Sequence, residues 1–144
     1  MKVSVILQKK GSSDVATIDP TATISEAITA LADRRIGALI VSKDGLGVDG
    51  IISERDIVAR LGNEGQSVLS TPIAQVMTHH VESCIGDDTA LDLLARMTDG
   101  RFRHMPVLDS HKQLAGMLSI GDVVKARLEE IEAENAAMAD MLSG

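Results

Sequence analysis

The sequence contains almost no aromatic side chains: one Phe, no Tyr and no Trp among 144 residues. Proteins that bind single-stranded nucleic acid commonly stack the bases on such rings, so their scarcity argues against that function. The net charge of −7 also argues against a nucleic-acid surface, because phosphate backbones are bound by clustered Lys and Arg. We therefore expect no nucleic-acid partner.

Cysteine and long apolar runs are equally scarce. A single cysteine, Cys84, excludes an internal disulfide and is compatible with a reducing compartment. No apolar run reaches the roughly 18 residues of a membrane-spanning helix, and no signal-peptide pattern is present. We therefore expect a cytoplasmic protein that makes no membrane contact.

Sequence patterns of catalysis and metal binding are also missing. There is no Gly-x-x-x-x-Gly-Lys loop and no nucleophile elbow. His79 and His80 have no Cys or carboxylate at zinc-ligand spacing, and Cys84 lies in an apolar run with no His beside it in any motif. We expect no metal site, no catalytic residue and no catalytic cofactor, so the protein is not predicted to be an enzyme.

One pattern is present twice. Gly50–Val58 consists of Gly, two apolar residues, Ser, two variable residues, Asp and two β-branched residues, and Gly116–Val124 has the same order. In each copy the apolar run predicts a buried strand, and the residues after the Ser have helical spacing. The Ser would cap that helix, and the Asp would lie in its first turn, where the helix dipole favours a carboxylate. Ligands of open α/β sheets bind at this end of a strand.

The repeat extends beyond the motif. A shift of 66 residues aligns 15–58 with 81–124 without a gap, and each copy has the predicted order β-α-β-β-α. A unit of about 60 residues buries little surface alone, so we expect the copies to pack together. The identical pairs are Val15/Val81, Thr23/Thr89, Asp33/Asp99, Arg35/Arg101, Val41/Val107, Gly50/Gly116, Ser53/Ser119, Asp56/Asp122 and Val58/Val124.

These patterns predict two units, at residues 1–62 and 72–128, joined by a linker at 63–71 and followed by a helical extension at 129–144. The extension has apolar residues at the 4-3-4-3-4 spacing of a coiled-coil seam. Either it forms a dimer contact or it folds back on its own unit. A polar residue on the seam favours the dimer, since a lone buried Asn can set the register. The seam residues are Val124, Leu128, Ile131, Asn135, Met138 and Leu142.

Two β-α-β-β-α units that each end in Gly-apolar-apolar-Ser-x-x-Asp resemble a tandem pair of cystathionine-β-synthase (CBS) domains. The resemblance covers about residues 1–128, and 36–39 together with 53–56 is similar to small stand-alone bacterial members. It implies an α/β (α+β) fold in which the units pack about a pseudo-two-fold axis, called a Bateman module, with an extended C-terminal helix. It also implies a homodimer that binds an adenine nucleotide (AMP, ADP, ATP or NADH) between the units.

The resemblance implies a role for each residue of the site. Asp56 and Asp122 would bind the ribose, because a carboxylate can accept bonds from both hydroxyls of a diol. At the helix N-termini, the residues implied to face ribose or phosphate are Ser53, Ser119 and Arg55. The residues implied for phosphate are Arg103, His104, Arg101 and Arg35. Those implied for adenine are Thr17, Ile18 and Ala38 in one unit and Ser83, Cys84 and Met105 in the other.

The two sites are not predicted to be equal. Arg103 and His104 stand where the first unit has Gly37 and Ala38. Because Arg binds phosphate bidentately, we expect the Asp56 site to prefer phosphorylated ligands. The Asp122 site is expected to be weaker, empty, or filled by the other end of a dinucleotide.

Two functions follow from this sequence. The first is a regulatory module that senses a nucleotide and acts in trans on an effector protein, which the sequence does not identify. The second is a structural or partner-binding dimer whose clefts are vestigial. In that case each Ser–Asp pair is only a helix cap and the arginines are a solvated basic patch.

Overall fold

The computed structural model describes residues 1–11 and 15–143, and its elements follow the predicted order. Helix α1 (Val3–Lys10) comes first. The first unit then contains β1 (Thr17–Ile18), α2 (Ile24–Arg34), β2 (Ala38–Val41), β3 (Gly50–Ser53) and α3 (Glu54–Glu64). Two 3₁₀ helices, Gly65–Ser70 and Ile73–Gln75, lead to the second unit, which contains β4 (Cys84–Ile85), α4 (Ala90–Gly100), β5 (His104–Leu108), β6 (Leu114–Ser119) and α5 (Ile120–Ser143).

Each unit has a three-stranded mixed sheet. In the first, β2 pairs parallel with β1 and antiparallel with β3, with Ala38 opposite Ser53. In the second, β5 pairs in the same way with β4 and β6, with His104 opposite Ser119. All four residues of β2 are buried, as expected of a central strand covered on both faces. The predicted fold class is confirmed.

The units are interlocked because each is completed by a segment that precedes the other. Val3 and Ile6 of α1 are buried in the core of the second unit, and the Val3 amide donates to the Asp88 carbonyl at 2.8 Å. In return, Ile73 is buried in the core of the first unit, and its amide donates to the Ala22 carbonyl at 2.8 Å. Packing thus crosses the predicted boundaries, which themselves remain a prediction.

The C-terminal helix leaves the globular part of the molecule. Val123 and Ala126 are buried, whereas residues 131–143 are all exposed. Near the exit, the amino group of Met1 pairs with Glu130, and Lys9 pairs with Glu129 at 3.5 Å. The alternative that the extension folds back on its own unit is therefore wrong for residues 131–143.

None of the helices in residues 1–11 and 15–143 combines the length and the apolar character that a bilayer crossing requires.

Candidate ligand-binding cleft

A cleft of about 600 Å³ lies between the two units and has walls from both. This volume lies in the range of small-molecule sites, roughly 300–1,000 Å³. The first unit contributes Gly37, Ile51 and 53–56. The segment before β4 and the turn between α4 and β5 contribute Thr78, 80–82 and 100–104. We call this space the Asp56 cleft.

Its first wall is the junction of β3 and α3, where Ser53 and Asp56 form a capping box. The Asp56 amide donates to Ser53 Oγ at 3.2 Å, and Asp56 Oδ2 accepts from the Ser53 amide at 3.0 Å and hydroxyl at 2.9 Å. Within the part of the chain that the structure describes, Asp56 Oδ1 accepts no hydrogen bond. The carboxylate thus caps the helix and keeps one oxygen available to a ligand.

The opposite wall carries the basic residues implied for phosphate. Arg101 and Arg103 line the cleft across from Arg55, and all three side chains are exposed. None of the three forms an ion pair with a carboxylate among residues 1–11 and 15–143. Arg101 ends α4 in the left-handed conformation, with φ of 57°. The structure therefore brings three guanidinium groups to one cleft without neutralising them.

His104 lies where the two units meet. A Cβ atom at Gly37 would be 3.4 Å from its imidazole ring, which is van der Waals distance, so the ring lies against the first unit at Gly37. Burial, together with nearby Lys10 and Arg103, lowers the pKa of His104 against the opposing effect of Glu54 and Asp122. The ring is consequently neutral at pH 7. It would meet a ligand as a hydrogen-bonding group, whereas the arginines supply the positive charge.

Several residues of the predicted site lie elsewhere. Arg35 ends α2 in the left-handed conformation, with φ of 53°, and does not line the Asp56 cleft. The same holds for all six residues implied for adenine. Ala38, Cys84 and Met105 are core residues with at most 2% of their surface exposed, so their side chains are not available to a ligand. Thr17 is exposed and Ile18 and Ser83 are half-buried, and the Ser83 carbonyl accepts from Arg96 at 2.7 Å.

Burial also determines the chemistry of Cys84. It raises the pKa of this thiol to about 12, together with the charge of Asp88 and against the effect of Arg96. A thiol with such a pKa stays protonated and is a poor nucleophile.

The cleft contains residues that the sequence analysis did not assign to it. Val81 and Glu82 approach it just ahead of β4, and Phe102 stands between Arg101 and Arg103. The Phe102 ring covers Gly100, where a Cβ atom would be 2.4 Å from the ring. The only aromatic residue of the chain therefore lies at the site. Its position between two implied phosphate residues was the signal that could have identified it.

The second motif aspartate has the same cap but a different surrounding. Asp122 Oδ2 accepts from the Ser119 amide at 2.8 Å, and the Asp122 amide donates to Ser119 Oγ at 3.2 Å. Lys10 Nζ lies 3.0 Å from Asp122 Oδ2 and 3.0 Å from the Met117 carbonyl oxygen. Burial alone would raise the pKa of Asp122, but the Ser119 amide and Lys10 outweigh it, and the net pKa is below its usual range.

Asp122 borders a smaller hollow, of about 230 Å³, which we call the Asp122 hollow. It lies along one side of α1, from Met1 to Lys10, and along one side of α5, and Ser119 is not among its lining residues. The residues that line it are Met1, Ile6, Lys9, Lys10, Asp122, Lys125, Ala126 and Glu129.

Two interlocked β-α-β-β-α units define a tandem pair of small α/β domains. The profile of the CBS domain family matches residues 11–63 and 73–129, which is most of the chain. The chain therefore belongs to the CBS domain family, as its resemblance to that family predicted.

Curated relatives differ widely in length. The chain is 34% identical over 128 residues to an uncharacterized 17.7 kDa protein of Acidianus ambivalens, with 89% of this chain and 74% of that protein covered. It is 28% identical to the CBS domain-containing protein YhcV of Bacillus subtilis, with 87% of each covered. It is 30% identical to CBSCBSPB1 of Arabidopsis thaliana, but it spans only 25% of that protein.

Two solved structures share the fold along most of their length. The CBS-domain containing protein ATU1752 from Agrobacterium tumefaciens is 42% identical with a TM-score of 0.83, covering 88% of this chain and 99% of that chain. The CBS domain protein PAE2072 from Pyrobaculum aerophilum, complexed with AMP, is 25% identical with a TM-score of 0.74, covering 85% of this chain and 89% of that chain.

Proposed function

We propose that this protein is a regulatory module that binds an adenine nucleotide in the Asp56 cleft and acts in trans on an effector protein. The observation that carries the proposal is the composition of that cleft. A capped carboxylate of one unit faces the guanidinium groups of Arg101 and Arg103 from the other, which form no ion pair with a carboxylate of the described residues. A ribose phosphate needs both kinds of group. The AMP complex of PAE2072, a relative of the same fold, supports this class of ligand.

In this proposal the free Oδ1 of Asp56 accepts from a ribose hydroxyl, and the amides at the start of α3 face the phosphate. Arg55, Arg101 and Arg103 hold the phosphate oxygens, because the planar guanidinium matches them bidentately. The base would lie against Val81 and Phe102. Ser83 and Cys84, which follow this wall in sequence, would contribute only through their backbone.

Regulation would follow from linkage. A nucleotide that contacts both units favours the arrangement in which they lie closest. If it binds only the folded protein, it also stabilises that protein by about 2.7 kcal/mol at a concentration of 100 times Kd. The arrangement of the units, rather than a chemical step, would then be the signal that an effector reads. We propose a binding function and not catalysis.

Isothermal titration of nucleotide-free protein with AMP, ATP, NADH and S-adenosylmethionine tests the proposal. We expect heat with at least one of them and none for Asp56→Ala. Loss of a cap also destabilises a helix by about 1 kcal/mol. Asp92→Ala is therefore the matched control, because Asp92 forms the capping box of α4 with Thr89 and does not line the cleft. Binding that is absent with every nucleotide, or equally strong in Asp56→Ala, would contradict the proposal.

A second function, partner binding through a homodimer, is favoured by one further observation. Apolar side chains of the α5 seam are exposed, including Ile131 at 38% and Leu142 at 86%. Val58 and Val124, at equivalent positions of the repeat, are exposed at 67% and 39%. We propose that these surfaces are covered in a homodimer. If the clefts are vestigial, seam variants will abolish the cellular function and Asp56→Ala will not.

A further inference from the structure

Lys10 distinguishes the two motif aspartates. In the first unit, Asp56 Oδ2 accepts its second hydrogen bond from the Ser53 hydroxyl, at 2.9 Å. In the second unit, Asp122 Oδ2 accepts its second hydrogen bond from the ammonium group of Lys10, at 3.0 Å. Among the described residues, Asp56 has no cation as an ion-pair partner. Asp122 is thus ion-paired within the chain and Asp56 is not, although Oδ1 of each carboxylate accepts no hydrogen bond from the described residues.

The position of Lys10 is fixed by the packing of α1. Val3 is fully buried and Ile6 is 5% exposed in the core of the second unit. Leu7 lies against β6, where a Cβ atom at Gly116 would be 2.7 Å from its Cδ2. Gly11 ends the helix directly after Lys10, with a left-handed φ of 78°. The ammonium also contacts the Met117 carbonyl at 3.0 Å, so it spans the end of β6 and the first turn of α5.

The described residues place no lysine at the equivalent position beside Asp56. The amides of Val3 and Ile73 make equivalent hydrogen bonds to the Asp88 and Ala22 carbonyls, so these two segments are related by a shift of 70 residues, which places His80 at the position of Lys10. His80 lines the Asp56 cleft, and among the described residues it forms no hydrogen bond with Asp56.

The 66-residue shift of the repeat places Gly37 and Ala38 at the positions of Arg103 and His104. The Asp122 side therefore has Lys10 paired with its carboxylate, and its other lining cations are the lysines Lys9 and Lys125. The arginines, which can bind phosphate bidentately, line the Asp56 cleft.

We propose that Lys10 is an internal occupant of the Asp122 site, so that the chain binds a single nucleotide, at Asp56. This inference rests on the proposed function, and it deepens that function by giving the number of ligands and the residue that sets it. The Lys10 ammonium neutralises this carboxylate through Oδ2 and contacts the Met117 carbonyl oxygen. A ribose hydroxyl could reach only Oδ1 unless the ligand displaced the ammonium. The Asp122 site is closed by this contact and not by the loss of its motif.

Titration calorimetry with AMP and with adenosine separates this inference from the proposed function. Lys10→Met retains most of the aliphatic stem and removes the ammonium group. Lys2→Met is the control, since Lys2 forms an exposed ion pair with Asp87 at 3.5 Å and lines neither site. We expect one AMP per chain for the wild type and for Lys2→Met. We expect none for Asp56→Ala, and one adenosine or AMP for Asp56→Ala/Lys10→Met.

Three results would overturn the inference. If AMP binds the wild type at Asp56 but the double variant binds neither ligand, Lys10 does not close the second site and the proposed function stands. If the wild type binds two ligands and Lys10→Met loses one, Lys10 is a ligand-binding cation. If neither the wild type nor Lys10→Met binds any ligand, the proposed function itself is contradicted, and the inference with it.

Discussion

At the scale of the residue, the two motif aspartates form the same helix cap but have different surroundings. Asp56 and Asp122 each cap a helix from the same position of the repeat. Capping follows from the local sequence, because it involves only groups three residues apart. Whether Asp122 can bind a ligand does not follow from the local sequence, because Lys10, which is 112 residues away in sequence, contacts its carboxylate. A matching motif is therefore insufficient evidence for a matching site.

Arg103 provides a residue-scale prediction about specificity. We expect Arg103→Met to weaken AMP binding by about tenfold or more, because hydrogen bonds to charged groups contribute about 1.5–3 kcal/mol. Adenosine, which lacks the phosphate, should bind within about twofold of its wild-type affinity. Calorimetry with both ligands measures the difference. Lys43→Met, which removes one exposed charge outside the cleft, should change neither affinity. Equal losses for AMP and adenosine would show that Arg103 does not contact the phosphate.

Part of this site could be predicted from the sequence. Ser53, Asp56 and Arg55 are adjacent in the motif, and family resemblance added Arg103 and His104 from the other unit. All five line one cleft. Phe102, Val81 and Lys10 were not assigned, because their places depend on how the units interlock and not on spacing within one element. Ala38, Cys84 and Met105 were expected near the base, but strand packing buries them in the cores.

At the scale of the element, the fold was predictable because two independent periodicities agree. Helical spacing and apolar runs gave the order β-α-β-β-α, and the shift of 66 residues gave it twice. The exchange of α1 and the second 3₁₀ helix between the units was not predicted. Both segments are short and apolar, so their sequences show that they are buried but not in which core. Only the contacts of Val3 and Ile73 with the opposite units decide this.

Gly50 tests the close approach that holds one exchanged segment. A Cβ atom there would be 2.8 Å from the Thr78 carbonyl oxygen and 2.6 Å from the Met77 sulfur. Ile51 and Thr78 exchange backbone hydrogen bonds of 3.0 and 2.9 Å at this point. We expect Gly50→Ala to lower the free energy of unfolding by about 1–3 kcal/mol, since overpacking forces the backbone apart.

Urea denaturation at fixed protein concentration measures this change. Gly62→Ala is the control, because Gly62 lies within α3 and a Cβ atom there meets nothing within 4 Å. That substitution should raise stability by about 0.5–1 kcal/mol, since Ala is the better helix former. A Gly50→Ala variant as stable as the wild type would show that the Met77–Thr78 segment can move away from the added methyl group without lowering the free energy of unfolding.

At the scale of the whole molecule, the two units are interlocked through their cores. Each unit lacks part of its own core and receives it from the segment that precedes the other, through Val3 and Ile73. The Asp56 cleft lies between them and has walls from both. In the proposed function, a ligand in that cleft would therefore act on the relation between the units. The helix α5 begins in the second unit and extends beyond it as residues 131–143, so we propose that its position follows that of the second unit.

The exposed part of α5 gives the prediction for assembly. The seam places Leu128 and Asn135 at the first apolar position of successive heptads and Ile131 and Met138 at the second. The exposed residues 131–143 form a helical segment that is too short to be stable by itself. A partner helix, together with contacts between the folded units, should therefore stabilise it. We expect sedimentation to give a mass of about twice 15.2 kDa for the wild type. Leu128→Asp should raise the dimer dissociation constant by at least about tenfold, because a buried unpaired charge is costly.

Ala133→Asp is the matched control, because it introduces the same charge into the same helix on the side opposite the seam. It should leave the dimer intact. Two results would contradict the coiled-coil arrangement: a wild-type protein that sediments at the monomer mass, or Leu128→Asp and Ala133→Asp variants with the same dissociation constant. If Leu128→Asp dissociates the dimer and also weakens AMP binding, the seam and the cleft are coupled, since by linkage each equilibrium must shift the other by the same factor.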